Sequence, residues 1–322
     1  MTTPTQPPPS KTVATPRPAA TILLLREASG GGAGVEVFMV VRHREIDFAS
    51  GALVFPGGRV EEGDFAVAAR RDLCTGLEGL DPAAASFRVA AIRETFEECG
   101  ILLARPQDAR PDGPLVSAER LLAIDAGSRA ALCRNEVAFA DLLAAERLTL
   151  AADRLAHYAH WITPTLRPKR YDTHFFLAGA PPDQVGAHDG WESVDSMWID
   201  PRRALDETAA GRFTLVFATR LNLERLSTAG SVAAALAQAQ SQPVVTIVPE
   251  EIVTETGGRI MRIPAEAGYG GSEFDAIDPP AMLDAPGPRE PPWETKPRAG
   301  AEPPPPHATC APKQAFSSGR SA

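Results

Sequence analysis

The hydrophobic positions of this chain form two kinds of pattern, short β-rich runs and longer stretches with helical spacing. The β-rich runs predict strands at 21–27, 35–42, 51–55, 157–164, 174–179, 193–199, 244–249 and 259–264. The helical stretches predict helices at 82–104, across 117–156, at 201–210 and at 215–239. This mixture favours an α/β (α+β) fold in which one sheet is covered by helices on both faces.

Both ends of the chain lack such patterns. Residues 1–18 and the proline-rich residues 276–322 hold too few apolar side chains to offset the entropy lost on ordering. We therefore expect a disordered segment at 1–18, one folded domain at 19–275 and a disordered tail at 276–322. The run PPPP at 303–306 is compatible with an added role of the tail in recruiting partners.

The composition restricts the classes of partner. A net charge of −9 makes duplex nucleic acid a poor partner, because phosphate binding needs a basic face. No apolar run reaches the ~18–20 residues that span a bilayer, and the N-terminus has no apolar signal region. The four cysteines form no CxxC pair, which suits a reducing compartment. We expect a cytoplasmic protein with no duplex nucleic acid or membrane partner, and the sequence leaves a homodimer open.

One predicted helix has an unusual polar pattern, RETFEECG at 93–100. Asp81 followed by Pro82 is a typical helix start. At about 100° per residue, the apolar side chains fall on one side of this helix. The opposite side of the helix carries three carboxylates, those of Glu94, Glu97 and Glu98.

Two interpretations of this carboxylate-bearing side of the helix remain open. It is either an ordinary solvated helix face, with Arg93 as a local ion partner, or a site for a hard divalent cation. Mg²⁺ takes oxygen ligands and leaves coordination positions for water and substrate phosphates.

A sharp turn precedes this helix in the sequence FPGGRVEEGD at 55–64. Pro56-Gly57-Gly58 follows a predicted strand, where the chain must turn and come close to another backbone or to a ligand. The order of features is therefore strand, double-glycine turn, acidic loop and carboxylate-bearing helix.

This combination resembles the Nudix hydrolase superfamily, whose signature reads G-x5-E-x7-R-E-U-x-E-E-x-G-U, where U is a bulky apolar residue. The matching positions are Gly58, Arg93, Glu94, Glu97, Glu98, Gly100 and Ile101. Asp64 stands in place of the first Glu, and Thr95 occupies a bulky apolar position. Residues 65–92 separate the two halves, where seven residues are usual.

An interrupted signature of this kind resembles the acyl-coenzyme A diphosphatase branch of that superfamily. The similarity continues in SGALVFPGG (50–58), WITPTLRPKRYDTHFF (161–176), WESVDSMWIDP (191–201) and FTLVFATRLNLERL (213–226). The resemblance implies a Nudix fold over 19–275: a mixed β-sheet sandwiched between α-helices, with an extra helical insertion. It also implies hydrolysis of a pyrophosphate bond in a nucleoside diphosphate derivative, with coenzyme A or an acyl-coenzyme A as the best single substrate.

The resemblance also implies roles for the matching residues. Glu97 and Glu98 would ligate Mg²⁺ or Mn²⁺, and Glu94 would be a further ligand or the general base. Arg93 would orient these carboxylates, while Gly58 and Gly100 would be structural.

Asp64 is shorter than Glu by one methylene group. Either it reaches the metal or Arg93 only through water, or the long insertion re-aims its loop to compensate; the sequence leaves both alternatives open.

Members of the superfamily often use an acid outside the signature to activate water. Glu192 is our candidate for this role, and Asp195 is its local alternative; each is equally compatible with an ordinary exposed acid.

The basic stretch RPKR at 167–170 offers groups for the substrate. Arg167, Lys169 and Arg170 could bind its phosphates, and Tyr171 could stack on a base. Scattered solvent-facing charge is the alternative for this stretch.

His157 and His160 lie three residues apart on a predicted strand. Alternation along a strand sends such residues to opposite faces, so we do not expect them to share a metal.

Three alternatives to a coenzyme A hydrolase stay open. The enzyme could act on another nucleoside diphosphate derivative, such as NADH, ADP-ribose or a nucleotide sugar. The domain could instead sense nucleotides without hydrolysing them, which the loss of signature carboxylates would indicate; Asp64 is the single departure of that kind. The third alternative treats the folded domain as a scaffold for its proline-rich tail.

Overall fold

The structure is a computed structural model that describes residues 13–29, 32–42, 51–184, 186 and 193–276. Most of the segments predicted to be disordered, 1–18 and 276–322, lie outside these residues. The strands are β1 (Arg17–Glu27), β2 (Val35–Arg42), β3 (Leu53–Val54), β4 (Gly57–Arg59), β5 (Cys74–Thr75), β6 (Ala104–Pro106), β7 (Leu148–Ala151), β8 (Ala156–Ile162), β9 (Tyr171–Gly179), β10 (Ser193–Ile199), β11 (Thr246–Ile247), β12 (Glu250–Val253), β13 (Arg259–Arg262) and β14 (Glu273–Asp275). The helices are α1 (Glu62–Ala68), α2 (Pro82–Cys99), α3 (Ala118–Cys133), α4 (Phe139–Ala145), α5 (Pro201–Ala209), α6 (Phe217–Leu226) and α7 (Val232–Ser241).

The central sheet is mixed and has the strand order β10-β2-β1-β9-β8-β11, with β3 beside β2 and β4 beside β1. β1 runs parallel to β9 and antiparallel to β2 and β4. Its sequence AATILLL is apolar at nearly every position, which is typical of a strand whose two faces are both covered.

Helices cover both faces of this sheet. On one face Ile22 and Leu24 join a core with α2, and on the other Leu23 and Leu25 join a core with α5, α6 and α7. The predicted architecture, a mixed sheet sandwiched between helices, is confirmed. Within the described residues no helix is both long and apolar enough to cross a membrane.

The prediction for the helix at 82–104 was too long at its C-terminal end. Asp81 caps the start, since its side chain accepts a hydrogen bond from the Ala84 backbone N–H. The helix ends at Cys99 because Gly100 adopts a left-handed conformation with φ of 68°. The chain then continues into β6.

The predicted helical stretch 117–156 was wrong at its C-terminal end. It contains α3 and α4, but Leu148–Ala151 forms β7, which joins β5 and β6 in a separate three-stranded sheet. The residues that interrupt the signature, 65–92, comprise the rest of α1, β5 and the first part of α2. The insertion therefore lengthens α2 and contributes a strand to this small sheet.

Candidate active site

The carboxylates of α2 face β4, the short strand that follows the Pro56 turn. A Cβ atom placed on Gly58 would lie 2.5 Å from the carboxyl carbon of Glu94. The Gly57 backbone N–H donates a hydrogen bond of 3.0 Å to Oε2 of Glu98. Gly57 itself has φ of +152°, and a Cβ there would meet the Ala20 carbonyl oxygen at 2.3 Å. The double glycine thus lets the backbone of β4 lie directly on the acidic side chains.

Arg93 is the hydrogen-bonding centre of this cluster. Its Nη1 donates to Oε1 of Glu94 at 2.9 Å and to Oε1 of Glu97 at 3.0 Å. Its Nη2 also donates to the Arg59 carbonyl oxygen at 2.9 Å, which fixes β4 against α2. Burial alone would lower the pKa of Arg93, but Glu94, Asp64 and Glu97 raise that pKa well above its usual value. The guanidinium is therefore permanently charged.

Asp64 binds Arg93 directly, so of the two alternatives the water-mediated contact to Arg93 does not apply. Its two oxygens accept hydrogen bonds from Nε and Nη2 of Arg93 at 2.8 and 3.0 Å. One of them also accepts from the Glu61 backbone N–H at 2.8 Å. These bonds fix Asp64 in the first turn of α1, which brings the shorter side chain within reach of Arg93.

The interpretation of the carboxylates as a solvated helix face was also wrong. Glu94, Glu97 and Glu98 are 8%, 6% and 5% exposed, and Arg93 is 4% exposed. From Ala85 onward α2 is buried on nearly all sides, so the carboxylates lie in the interior opposite the apolar stripe. Thr95 is buried too, and its hydroxyl donates to the Ala91 carbonyl, which explains how a polar residue fits this position.

This donor set fits a hard divalent cation. Asp64, Glu94 and Glu97 share the guanidinium of Arg93, and Glu98 accepts a hydrogen bond from the Gly57 backbone N–H. Concentrated buried negative charge is costly unless it is compensated. The donors are all oxygen atoms, the kind that Mg²⁺ and Mn²⁺ prefer.

Sequence reasoning missed Arg129, a buried residue of α3. Its Nε donates to the Glu97 carbonyl oxygen at 2.9 Å, so a positive charge lies at the C-terminal end of α2. A Cβ on Gly100 would come within 3.0 Å of the same guanidinium, which supports a structural role for that glycine. No local motif marks Arg129, because the contact depends on how α3 packs against α2.

The structure places the other predicted site residues that it describes in the loop before β9, on β9 itself and on β10. Arg167 and Lys169 are exposed in the loop before β9, and Tyr171 begins that strand. Arg170 is buried and donates to the carbonyl oxygens of Thr163 and Ala14. Asp195 lies in β10 opposite Val41. Glu192 lies outside the described residues.

The prediction that His157 and His160 point to opposite faces was wrong. The pairing of β8 with β9 shifts register between His157 and Ala159, which is a β-bulge. The extra residue brings both imidazoles to the same side, where each stacks on His174 of β9. Burial, aided by Arg88 and His160, lowers the pKa of His157 to about 4. Burial, then His160, His157 and Arg88, lower the pKa of His174 to about 3.

Comparisons with known proteins agree with this site. A family model described as the NUDT19 Nudix domain matches residues 75–226. The chain is 30% identical over 239 residues to the acyl-coenzyme A diphosphatase NUDT19 of Gallus gallus, covering 59% of this chain and 62% of that protein. It is 29% identical over 211 residues to the putative nudix hydrolase 7 of Caenorhabditis elegans, covering 66% of this chain and 60% of that protein. The match thus spans about three-fifths of the length of these relatives.

Among solved structures, a NUDIX hydrolase from Alicyclobacillus acidocaldarius superposes with a TM-score of 0.57 at 26% identity. The alignment covers 70% of this chain and 97% of that one. Its fold therefore corresponds to most of the part of the chain that the structure describes.

Proposed function

Because the chain belongs to the Nudix hydrolase superfamily, we propose that it hydrolyses the pyrophosphate bond of a nucleoside diphosphate derivative with Mg²⁺ or Mn²⁺. The observation that carries this proposal is the buried cluster of carboxylates around Arg93, closed by the glycines of β4. Coenzyme A or an acyl-coenzyme A is the substrate we propose, supported by the name of the Gallus gallus relative. We further propose that the protein acts in the cytoplasm.

In this mechanism Glu97 and Glu98 would hold the metal, and Glu94 would be a further ligand or the general base. A bound divalent ion supplies positive charge for the phosphate oxygens and lowers the pKa of a water molecule. Arg93 keeps Glu94 and Glu97 on one side of α2 through bonds to both. The Gly57 N–H orients Glu98 in the same way. These hydrogen bonds restrict the positions of the three carboxylates before the substrate arrives.

A substrate panel tests the proposal. Purified protein with Mg²⁺ or Mn²⁺ would be incubated with coenzyme A, NADH and ADP-ribose, and the products identified by mass spectrometry. We expect coenzyme A to yield phosphopantetheine and adenosine bisphosphate. If coenzyme A stayed intact while NADH or ADP-ribose was cleaved, the substrate would be wrong but the reaction class would stand.

The matched variant is Glu97→Gln/Glu98→Gln, which keeps side-chain shape and removes two negative charges. We expect kcat/KM to fall by about 100-fold or more, because several kcal/mol of charge stabilisation by the metal are lost. Turnover unaffected by this variant would overturn the roles of these residues. No turnover of any substrate by the parent protein, together with metal-independent ligand binding, would favour a nucleotide sensor.

A further inference from the structure

A second group of metal-binding side chains lies outside the acidic cluster, on β8 and β9. His160 and His174 are direct partners across these two strands, and Asp172 lies two residues before His174. One donor atom from each of these three residues lies within 4.8 Å of the others. All three are partly exposed, so an ion can reach them from solvent.

Within this group, Nδ1 of each of the two imidazoles lies within hydrogen-bond distance of a neighbouring side chain. Nδ1 of His160 lies 2.8 Å from the Thr246 hydroxyl, and Nδ1 of His174 lies 3.0 Å from Nε2 of His157. Both Nδ1 atoms are thus engaged by neighbouring side chains. Nε2 of His160 already lies 2.5 Å from Oδ1 of Asp172. Histidines that bind metals typically have the other ring nitrogen held in this way.

We propose that His160, Asp172 and His174 bind one Zn²⁺ ion, with His157 and Thr246 orienting the two imidazoles. Two imidazoles and one carboxylate are a donor set that Zn²⁺ accepts while keeping a coordination position open. The set differs in chemistry from the all-oxygen cluster on α2, since imidazole favours zinc over magnesium. This site is independent of the proposed hydrolase function.

The two sites are close but separate. Ala20 of β1 pairs with His174 on one side and with Gly58 on the other. The histidine site therefore lies two strand spacings from the β4 glycines, about 10 Å away. It also lies on the side of the sheet that α2 covers, since the Phe87 ring is 4.0 Å from that of His174.

Calorimetric titration of the metal-free, full-length protein with Zn²⁺ tests the proposal. We expect His160→Asn/His174→Asn to lose one equivalent of bound Zn²⁺, while Glu97→Gln/Glu98→Gln keeps it. His157→Ala should weaken that equivalent by about 10–100-fold, because only the orienting partner is removed. The proposal is overturned if the histidine variant binds Zn²⁺ as the parent does, or if only the glutamate variant loses the ion.

A measurement on the parent protein avoids any folding defect of the variants. X-ray absorption of the protein loaded with one equivalent of Zn²⁺ counts the imidazole ligands directly. We expect two imidazoles, with oxygen or nitrogen in the remaining positions and no sulfur. A zinc ion without imidazole ligands would overturn the assignment, and the hydrogen-bonded histidines would then be a feature of the apo fold alone.

Discussion

Arg93 makes the acidic cluster compatible with folding. Three carboxylates bond to its guanidinium, whose positive charge offsets part of their buried negative charge. A buried network of this kind is sensitive to shape, because moving one member leaves another without its hydrogen bond. Two substitutions at its edge test this sensitivity.

Gly58→Ala should displace Glu94, because the added Cβ would lie 2.5 Å from its carboxyl carbon. We expect kcat/KM to fall at least about tenfold, since misplacing a catalytic group by 1 Å is enough to do so. Gly63→Ala is the matched control, as no heavy atom lies within 4 Å of a Cβ there. Equal rates for the two variants would show that Glu94 is not used in hydrolysis.

Asp64→Glu restores the residue that the superfamily signature has, yet we expect it to destabilise this chain. Asp64 is fully buried and already bonds directly to Arg93, so an added methylene group has no space. Overpacking of this kind costs about 1–3 kcal/mol, measurable by urea unfolding. Asp112→Glu, at a side chain 80% exposed, should change the free energy of unfolding little. An Asp64→Glu variant as stable as the parent would contradict this account.

The residues of the cluster were predictable from sequence to different degrees. The signature spacing identified Arg93 and the three glutamates, because the helical repeat fixes the relative positions of residues that are close together on one helix. The direct contact of Asp64 was not predictable, since it depends on where α1 starts relative to α2. Arg129 was missed for the same reason, as its contact is made between separate helices.

At the scale of elements, the β-bulge in β8 had the largest effect on the site. Strict alternation predicted that His157 and His160 would face apart, and one extra residue reverses that result. The residues HYAH carry no glycine or proline that would indicate a bulge. The ends of α2 were easier to predict, since Asp81-Pro82 is a typical helix start and Gly100 is a typical helix C-cap.

His157 in this bulge and His174 on the neighbouring strand β9 should make the fold sensitive to acid. Because the folded protein lowers the pKa of His157 to about 4 and of His174 to about 3, the unfolded chain binds protons first as pH falls. Their contribution is therefore complete above about pH 6.5 and is lost as pH falls through these values. The free energy of unfolding, measured with chelator present, should decline less steeply from pH 7 to 4 in His157→Gln/His174→Gln. If the free energy of unfolding fell with pH equally steeply in the variant and in the parent, both histidines would have ordinary pKa values in the folded protein.

At the scale of the whole molecule, the sheet between two helical layers was predicted from pattern alone. The apolar run of β1 indicated a strand covered on both faces, and the helical stretches supplied the covering layers. The short strands β4, β5, β6, β7, β12 and β14 were not predicted, because they lie outside the longer β-rich runs and two to four residues alone carry too little periodicity. β1 begins at Arg17, two residues before the expected domain start.

Deletion of residues 280–322 should leave hydrolysis unchanged, because β14, the last described strand, ends at Asp275. The measurement is kcat/KM for the substrate cleaved by the full chain, with thermal melting as the control for folding. A large loss of activity in a variant that still melts cooperatively would show that the domain extends into the proline-rich segment.

The pairing of β1 with β9 has a consequence for how the protein is made. Arg17 pairs with Tyr171, so about 150 residues must be synthesised before β1 can meet this neighbour. Until then the nascent chain carries β1, one of its most apolar strands, without the strand that pairs with one of its edges. An unpaired apolar edge of this kind is prone to aggregation. Nascent chains stalled before Tyr171 should therefore depend on chaperones more than chains stalled after Gly179.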